Sequence, residues 1–302
     1  MKKLILIDGN AIFHRAFHAL PLLTNSKNEH TNAILGFIRM LFDVIRNEKP
    51  DYVAIAFDHK EKTFRHIEYT EYKANRSAPP PELYPQMPRL KELLKAFNFA
   101  VFEMQGFEAD DIIGTLSLQA EANPDLQTII LTGDKDAFQL ITNHTFVMTP
   151  KMGFSVVKIY DQAGVKEAMG VTPEQIIDYK ALRGDSSDNI PGVKGIGEKQ
   201  AVEMLAKFGT LENIYNHLDE LTESQRKKME ESRDIALMSK KLATIIRDMP
   251  ISLNLDICQL PKVPLEKAVN ALDELEFASL SRNIHKFTQI IEQPESSQIT
   301  MF

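Results

Sequence analysis

Four apolar, β-branched runs, each closed or soon followed by carboxylates, constrain the fold of this 302-residue chain more than any other feature. They are LILID (4–8), YVAIAFD (52–58), FAVFE (99–103) and TIILTGD (128–134). Their apolar character is continuous rather than alternating, as in strands buried on both faces of a parallel sheet. Helical stretches lie between them, for example TNAILGFIRMLFDVIRNEK (31–49) and EADDIIGTLSLQAEA (108–122). In the first, Ile34, Phe37, Ile38, Leu41, Phe42 and Ile45 recur at helical spacing. Strand alternating with helix predicts an α/β domain with a parallel sheet, placed at residues 1–160.

Beyond residue 161 the pattern predicts helices only, as far as about residue 290. One of them is marked by Thr172 as N-cap, Pro173 in its first turn and Gly184 after its last. The stretch 68–90 is basic and aromatic at its start, and prolines 79, 80 and 81 forbid a regular helix in its middle. It reads as a long connection between the second and third strands, of a kind that is either functional or disordered. Residues 291–302 read as a flexible polar tail.

No apolar run reaches the roughly 18 residues of a membrane span. The apolar part of the N-terminus is too short for a signal peptide and ends on Asp8. The lone cysteine, Cys258, excludes an internal disulfide framework and a cysteine zinc site. A monomer in a reducing cytoplasm, with no membrane partner, is the expectation.

The acids are placed systematically. Asp8 ends the first run and Asp58 the second; Glu108, Asp110 and Asp111 follow the third, and Asp134 and Asp136 the fourth. The helical part adds Asp185 and Asp188 in RGDSSDN. Strand ends of a parallel sheet share one edge, where ligand crevices form, so these carboxylates should converge. An acid in a first helical turn is ordinary by itself, but four strand ends together call for a counter-charge. No lysine or arginine cluster interleaves with these acids in the sequence, and no histidine or cysteine stands among them. An all-oxygen site suits Mg²⁺ or Mn²⁺, and two such ions would clamp an in-line attack at phosphorus. The missing positive charge is therefore expected to be metal. The net charge of −7 becomes slightly positive once these nine acids are set aside, so it does not exclude a phosphate-rich substrate.

LIDGNAIFHRAFHALP, AFDHKEKTFRH, EYKANRS, GFEADDIIGTLS, TGDKDAFQLI and GDSSDNIPGVKGIGEKQA together resemble the 5′→3′ exonuclease domain of bacterial DNA polymerase I, one of the flap endonuclease-like, PIN-like 5′-nucleases. The resemblance runs in order over roughly residues 1–290. It implies a PIN-like sheet flanked by helices, a helical arch at about 68–90 and a helix–hairpin–helix at about 176–208. It further implies structure-selective hydrolysis of DNA, and of RNA primers in RNA/DNA hybrids, at 5′ ends, flaps and nicks during replication and repair. By this resemblance Asp8, Asp58, Glu108, Asp110 and Asp111 group around one ion, and Asp134, Asp136, Asp185 and Asp188 around the other. Lys73 would lie by the scissile phosphate and Arg76 would offer it a fork. Tyr72 would stack on a base, and Arg15 would touch a phosphate. His14, His18 and His59 read as structural or surface residues.

Gly195, Ile196 and Gly197, between two helices, look like the hairpin of the helix–hairpin–helix. Backbone N–H groups and a helix N-terminus there would meet a duplex phosphate without reading bases, with Lys199 beside them. The family implies K⁺ as an ion at this hairpin. The terminal Gln298, Ile299, Met301 and Phe302 resemble the peptide by which bacterial replication proteins dock on the sliding clamp. No polymerase sequence accompanies these motifs, so a stand-alone nuclease, or a fragment excised from a longer protein, is the expectation. Two other readings remain, a PIN-type ribonuclease on structured RNA and a non-catalytic binder of branched DNA.

Overall fold

All four runs form strands in the computed structural model, which describes residues 1–150, 157–260 and 262–292. They are β1 (Lys2–Asp8), β2 (Tyr52–Ala56), β3 (Ala100–Phe102) and β4 (Leu126–Leu131). Two further strands, β5 (Thr145–Pro150) and β6 (Val157–Tyr160), extend the sheet beyond the sequence reading. The order is β3-β2-β1-β4-β5-β6, parallel except for β6, which runs antiparallel to β5 at the edge. Strand β6 carries a polar residue at Lys158 and leaves Ile159 exposed, so it lacks the apolar run that marks a buried strand.

Helices fill the connections: α1 (Gly9–Ala19), α2 (Asn32–Glu48), α3 (Phe64–Glu68), α4 (Gln86–Ala96) and α5 (Ala109–Ala120). Alternate strand residues sort to the two faces. Leu4, Leu6, Ala54, Ala56 and Ile130 pack with Ile112, Ile113 and Leu116 of α5 on one side. Ile5, Ile7, Val53, Ile55, Ile129 and Leu131 pack with α1, α2 and α4 on the other. Each such aliphatic side chain contributes about 1.5–3 kcal/mol by leaving water. Both faces are covered, which is why the strand sequences do not alternate.

The rest of the described chain comprises α6 (Gln162–Met169), α7 (Ile176–Arg183), α8 (Glu198–Phe208), α9 (Leu211–Asn216), α10 (Glu223–Glu231), α11 (Arg233–Ala243), α12 (Leu255–Cys258), α13 (Leu265–Glu274) and α14 (Ala278–Glu292). It does not remain one separate helical region, as the pattern from 161 to 290 suggested. After α11 the chain returns to the sheet. The Ile251 carbonyl and Leu253 N–H bond Gln119 of α5, and the Leu260 N–H reaches the Asp51 carbonyl. Ala268 and Leu272 of α13 and Ile284 and Phe287 of α14 join the core around α2 and α4.

The expected helical arch also differs. Residues 69–85 contain turns and extended backbone, with no helix between α3 and α4. They lie as a strap against the loop after α7. The Lys73 N–H donates to the Asp188 carbonyl at 3.0 Å, and the Asn75 side chain donates to the Ser186 carbonyl at 2.6 Å.

Candidate active site

Strands β2 and β3 are added on one side of β1 and β4 on the other, so the crevice of a parallel sheet opens at the end of β1. Asp8 is the last residue of β1 and caps α1, accepting from the Ala11 N–H at 2.9 Å. Asp58, just past β2, accepts from the Ala109 N–H at 2.7 Å at the start of α5. Glu108 caps α5, Asp110 lies in its first turn, and Asp134 caps the 3₁₀ turn after β4. These five carboxylates line one cleft of about 860 Å³, together with Lys73 and Arg76 of the strap.

The crowding is visible in proton affinity. Burial, with repulsion from Asp58 and Asp134, lifts the Asp8 carboxyl to about 6 despite the Ala11 N–H and a Thr132 hydroxyl at 2.7 Å. Burial and the charges of Asp8 and Asp134 hold Asp110 well above the usual carboxylate range. Desolvation at the cleft wall and the charge of Glu108 also raise Asp58, although its side chain is open to the cleft. Among the described residues, no three acidic or histidine side chains close into a ready ligand cage. Even so, the donor chemistry fits a hard divalent cation, since all five acids are oxygen donors and burial with like charge makes Asp8, Asp58 and Asp110 costly to ionise.

The remaining four acids are matched by protein cations, which corrects the expectation that only metal could balance them. Asp111 is fully buried and faces Arg65 of α3 through two bonds of 2.7 and 2.8 Å. Its oxygens also accept the N–H groups of Glu108 and Ile246. With both oxygens so occupied, Asp111 does not join the cleft and the expected ion group loses it. Asp188 accepts from Arg76 at 2.6 Å and from the Tyr72 hydroxyl at 3.0 Å. Asp136 and Asp185 are bridged by the ammonium of Lys180, which is 2.6 Å from Asp185. Burial alone would raise Asp185; Lys180 and two bonds from Ser187 outweigh it and bring the carboxyl down to about 2.

Tyr72 is not a stacking platform. It is 3% exposed, with its hydroxyl between Asp188 and Glu108, and burial together with those charges raises it. Lys73 donates to Glu108 at 2.9 Å from a left-handed backbone, φ 58°, a conformation that a non-glycine residue holds at a cost. Arg15 is not among the cleft residues, whereas His14 and His18 on the same helix are. His14 meets the Tyr84 ring edge-on with centroids 5.7 Å apart, and burial lowers its affinity for a proton. His59 lies outside the cleft lining; its ring nitrogen accepts from the Glu61 N–H. At the hairpin, Ile196 is buried, Gly195 and Gly197 are exposed, Lys199 points to solvent, and the Lys228 ammonium donates to the Gly195 carbonyl at 2.9 Å.

Two family models match: the 5′-3′ exonuclease N-terminal resolvase-like domain over residues 3–170, and the 5′-3′ exonuclease C-terminal SAM fold over residues 171–266. The chain belongs to the 5′-3′ exonuclease family. Among curated relatives, DNA polymerase I of Bacillus caldotenax is 45% identical over 298 residues, covering 98% of this chain and 33% of its own length. DNA polymerase I of Bacillus subtilis is 44% identical over 296 residues, covering 98% and 34%. The chain thus spans about a third of the length of the curated relatives it matches. The exonuclease fold is shared with the bacteriophage T5 flap endonuclease, solved with DNA and metal ions, at a TM-score of 0.67 and 21% identity, covering 97% of this chain and 100% of that one. It is shared too with the catalytic core of Rad2 solved with DNA substrate, at 0.62 and 17%, covering 96% and 92%.

Sequence reasoning missed Arg65 and Lys180, and it read His14 and His18 as structural or surface residues although they line the cleft. Arg65 and Lys180 lie within or next to the quoted motifs, but pairings 46 and 44 positions apart leave no local signal. The two histidines are four residues apart on one helical face, which could have flagged them.

Proposed function

We propose that this chain hydrolyses phosphodiester bonds at 5′ ends, flaps and nicks of DNA, and in RNA primers of RNA/DNA hybrids, with Mg²⁺ or Mn²⁺. The observation that supports this most is one cleft in which five carboxylates from three strand ends and a helix start face Lys73 and Arg76. Asp134, which the family resemblance groups with the second ion, lines the cleft, so Asp8, Asp58, Glu108, Asp110 and Asp134 would hold the first divalent ion, with Asp136, Asp185 and Asp188 offered to a second. When bound, such ions polarise phosphate oxygens and lower the proton affinity of water.

The chain's own residues do the positioning. Lys73 and Arg76 rest on Glu108 and Asp188 and are in reach of a phosphate entering the same cleft. Both donate charge-assisted hydrogen bonds, which strengthen as negative charge builds on the phosphate. The exposed hairpin glycines and Lys199 suit contact with duplex phosphate, with K⁺ as an ion at that hairpin.

The test compares a 5′-flap, a nicked duplex, an RNA-primed end and an RNA hairpin, with Mg²⁺, with Mn²⁺ and with EDTA. Metal-dependent cleavage of the first three is expected. Preference for the RNA hairpin would assign a ribonuclease instead, and binding to flaps without cleavage would leave only a binder. Gln298, Ile299, Met301 and Phe302 lie outside the described residues; we propose them as a sliding-clamp anchor. Deleting 298–302 should abolish capture by the clamp and spare flap cleavage. A monomer acting in the bacterial cytoplasm is part of the same proposal; no helix among the described residues is long and apolar enough to cross a membrane.

A further inference from the structure

The second acidic group is closed by a lysine of the chain itself. Lys180 rises from the last turn of α7, its side chain 8% exposed, and places its ammonium between Asp136, which follows β4, and Asp185, five residues further on. An ammonium is rarely buried without partners, and here two carboxylates supply them. Asp185 is in turn fixed by the Ser187 N–H and hydroxyl at 2.8 and 2.7 Å, and its backbone pairs twice with Ile190 at 2.8 Å. The site is therefore rigid on the acid side and adjustable on the lysine side, whose stem carries four rotatable bonds.

We propose that Lys180 is an internal counter-ion that competes with a divalent cation for Asp136 and Asp185. In the resting protein its charge stands in for the ion and keeps the two acids together. A divalent ion entering the group meets a positive charge in direct contact with both ligands, and it binds only as Lys180 withdraws. Uptake is then unequal: the cleft carboxylates, of which among the described residues only Glu108 is ion-paired, with Lys73 and Arg65, fill first, and the Lys180 group fills at higher concentration. This rests on the functional reading above, because it assumes that the cleft takes divalent ions.

The test is Mn²⁺ binding to the full chain without nucleic acid, followed by calorimetry and by the electron-spin resonance of free Mn²⁺. Wild type should show a tighter and a weaker event. Lys180→Met should tighten the weaker event on the order of tenfold or more, since one unit charge leaves direct contact with the site, and should leave the tighter event unchanged. Lys180→Arg, which keeps the charge, should retain the wild-type weakness. Unchanged weak binding in folded Lys180→Met would overturn the proposal while leaving the functional reading intact. No Mn²⁺ binding in wild type would remove the functional reading as well. Should Lys180→Met not fold, wild-type crystals soaked in Mn²⁺ decide. An anomalous peak between Asp136 and Asp185 with the ammonium displaced supports the exchange; a peak with both lysine contacts kept, or no peak there while the cleft is filled, overturns it.

Discussion

At the scale of single residues, acids of one motif have unlike duties. Asp110 faces the cleft, while its neighbour Asp111 lies outside the cleft lining and is tied to Arg65, which also donates to the carbonyls of Leu242 and Thr244. Arg65→Ala would leave Asp111 buried without its partner, and we expect a loss of about 3–5 kcal/mol in urea denaturation. The double change Arg65→Met with Asp111→Leu should recover most of it; no recovery would mean that the arginine's carbonyl contacts matter more than the charge pair. Asp8 behaves in the opposite sense. Its carboxyl holds a proton up to about 6 when folded, against an ordinary value of 3.8, so the folded state binds more protons between those values. Stability from this group is present at low pH and lost as pH rises through that window. In EDTA at pH 7, Asp8→Asn should therefore stabilise the protein by about 1–3 kcal/mol, a gain that shrinks as pH falls from about 6 to 4. A variant less stable than wild type at pH 7 would show that the Asp8 charge is already balanced.

At the scale of elements, the loop between α7 and α8 is held in shape by two glycines. Gly184 has φ 79° and Gly192 φ 64°, backbone that favours glycine. They also touch: a Cβ on Gly192 would lie 2.2 Å from the Gly184 nitrogen. Neither backbone can yield, so Gly192→Ala must open the loop that presents Asp185 and Asp188. We expect a loss of about 2 kcal/mol or more and faster proteolysis between residues 184 and 192; a variant with wild-type urea midpoint and cleavage pattern would contradict this. The strap 69–85 is likewise shaped by what it lies on. Its prolines rule out a helix at 79–81, as the sequence implies, but its basic side chains are placed by acids from two other elements: Glu108 at the start of α5 takes the Lys73 ammonium and Asp188 takes the Arg76 guanidinium.

At the scale of the whole molecule, the chain ties its C-terminal helices back onto the sheet domain. Phe287 of α14 is buried and stacks on Phe42 of α2, with centroids 3.4 Å apart, and it also meets Phe97. Phe287→Ala should cost about 3–5 kcal/mol. It should leave Mn²⁺ binding unchanged at temperatures where the protein is folded, because the cleft lies at the strand ends and α14 does not line it. A reduced Mn²⁺ affinity in the folded variant would show that the C-terminal helices help shape the cleft. The sheet order itself places the cleft: β2 and β4 flank β1, so their ends converge on one point although their sequences lie some seventy residues apart.

The sequence by itself determined the parallel sheet, through runs too apolar for any surface strand, and it determined which acids sit at strand ends. It also carried the family, because six motifs in order are a local property of the chain. It did not show β5 and β6, whose residues are less uniformly apolar, nor the return of α13 and α14 to the sheet, since any amphipathic helix needs a partner but does not name it. Only the tertiary structure decided how the charges pair. Arg65, Lys73, Arg76 and Lys180 reach acids 35 to 112 positions away, which sequence spacing does not bring together, so whether a carboxylate is paired or left open to the cleft depends on its neighbours in space.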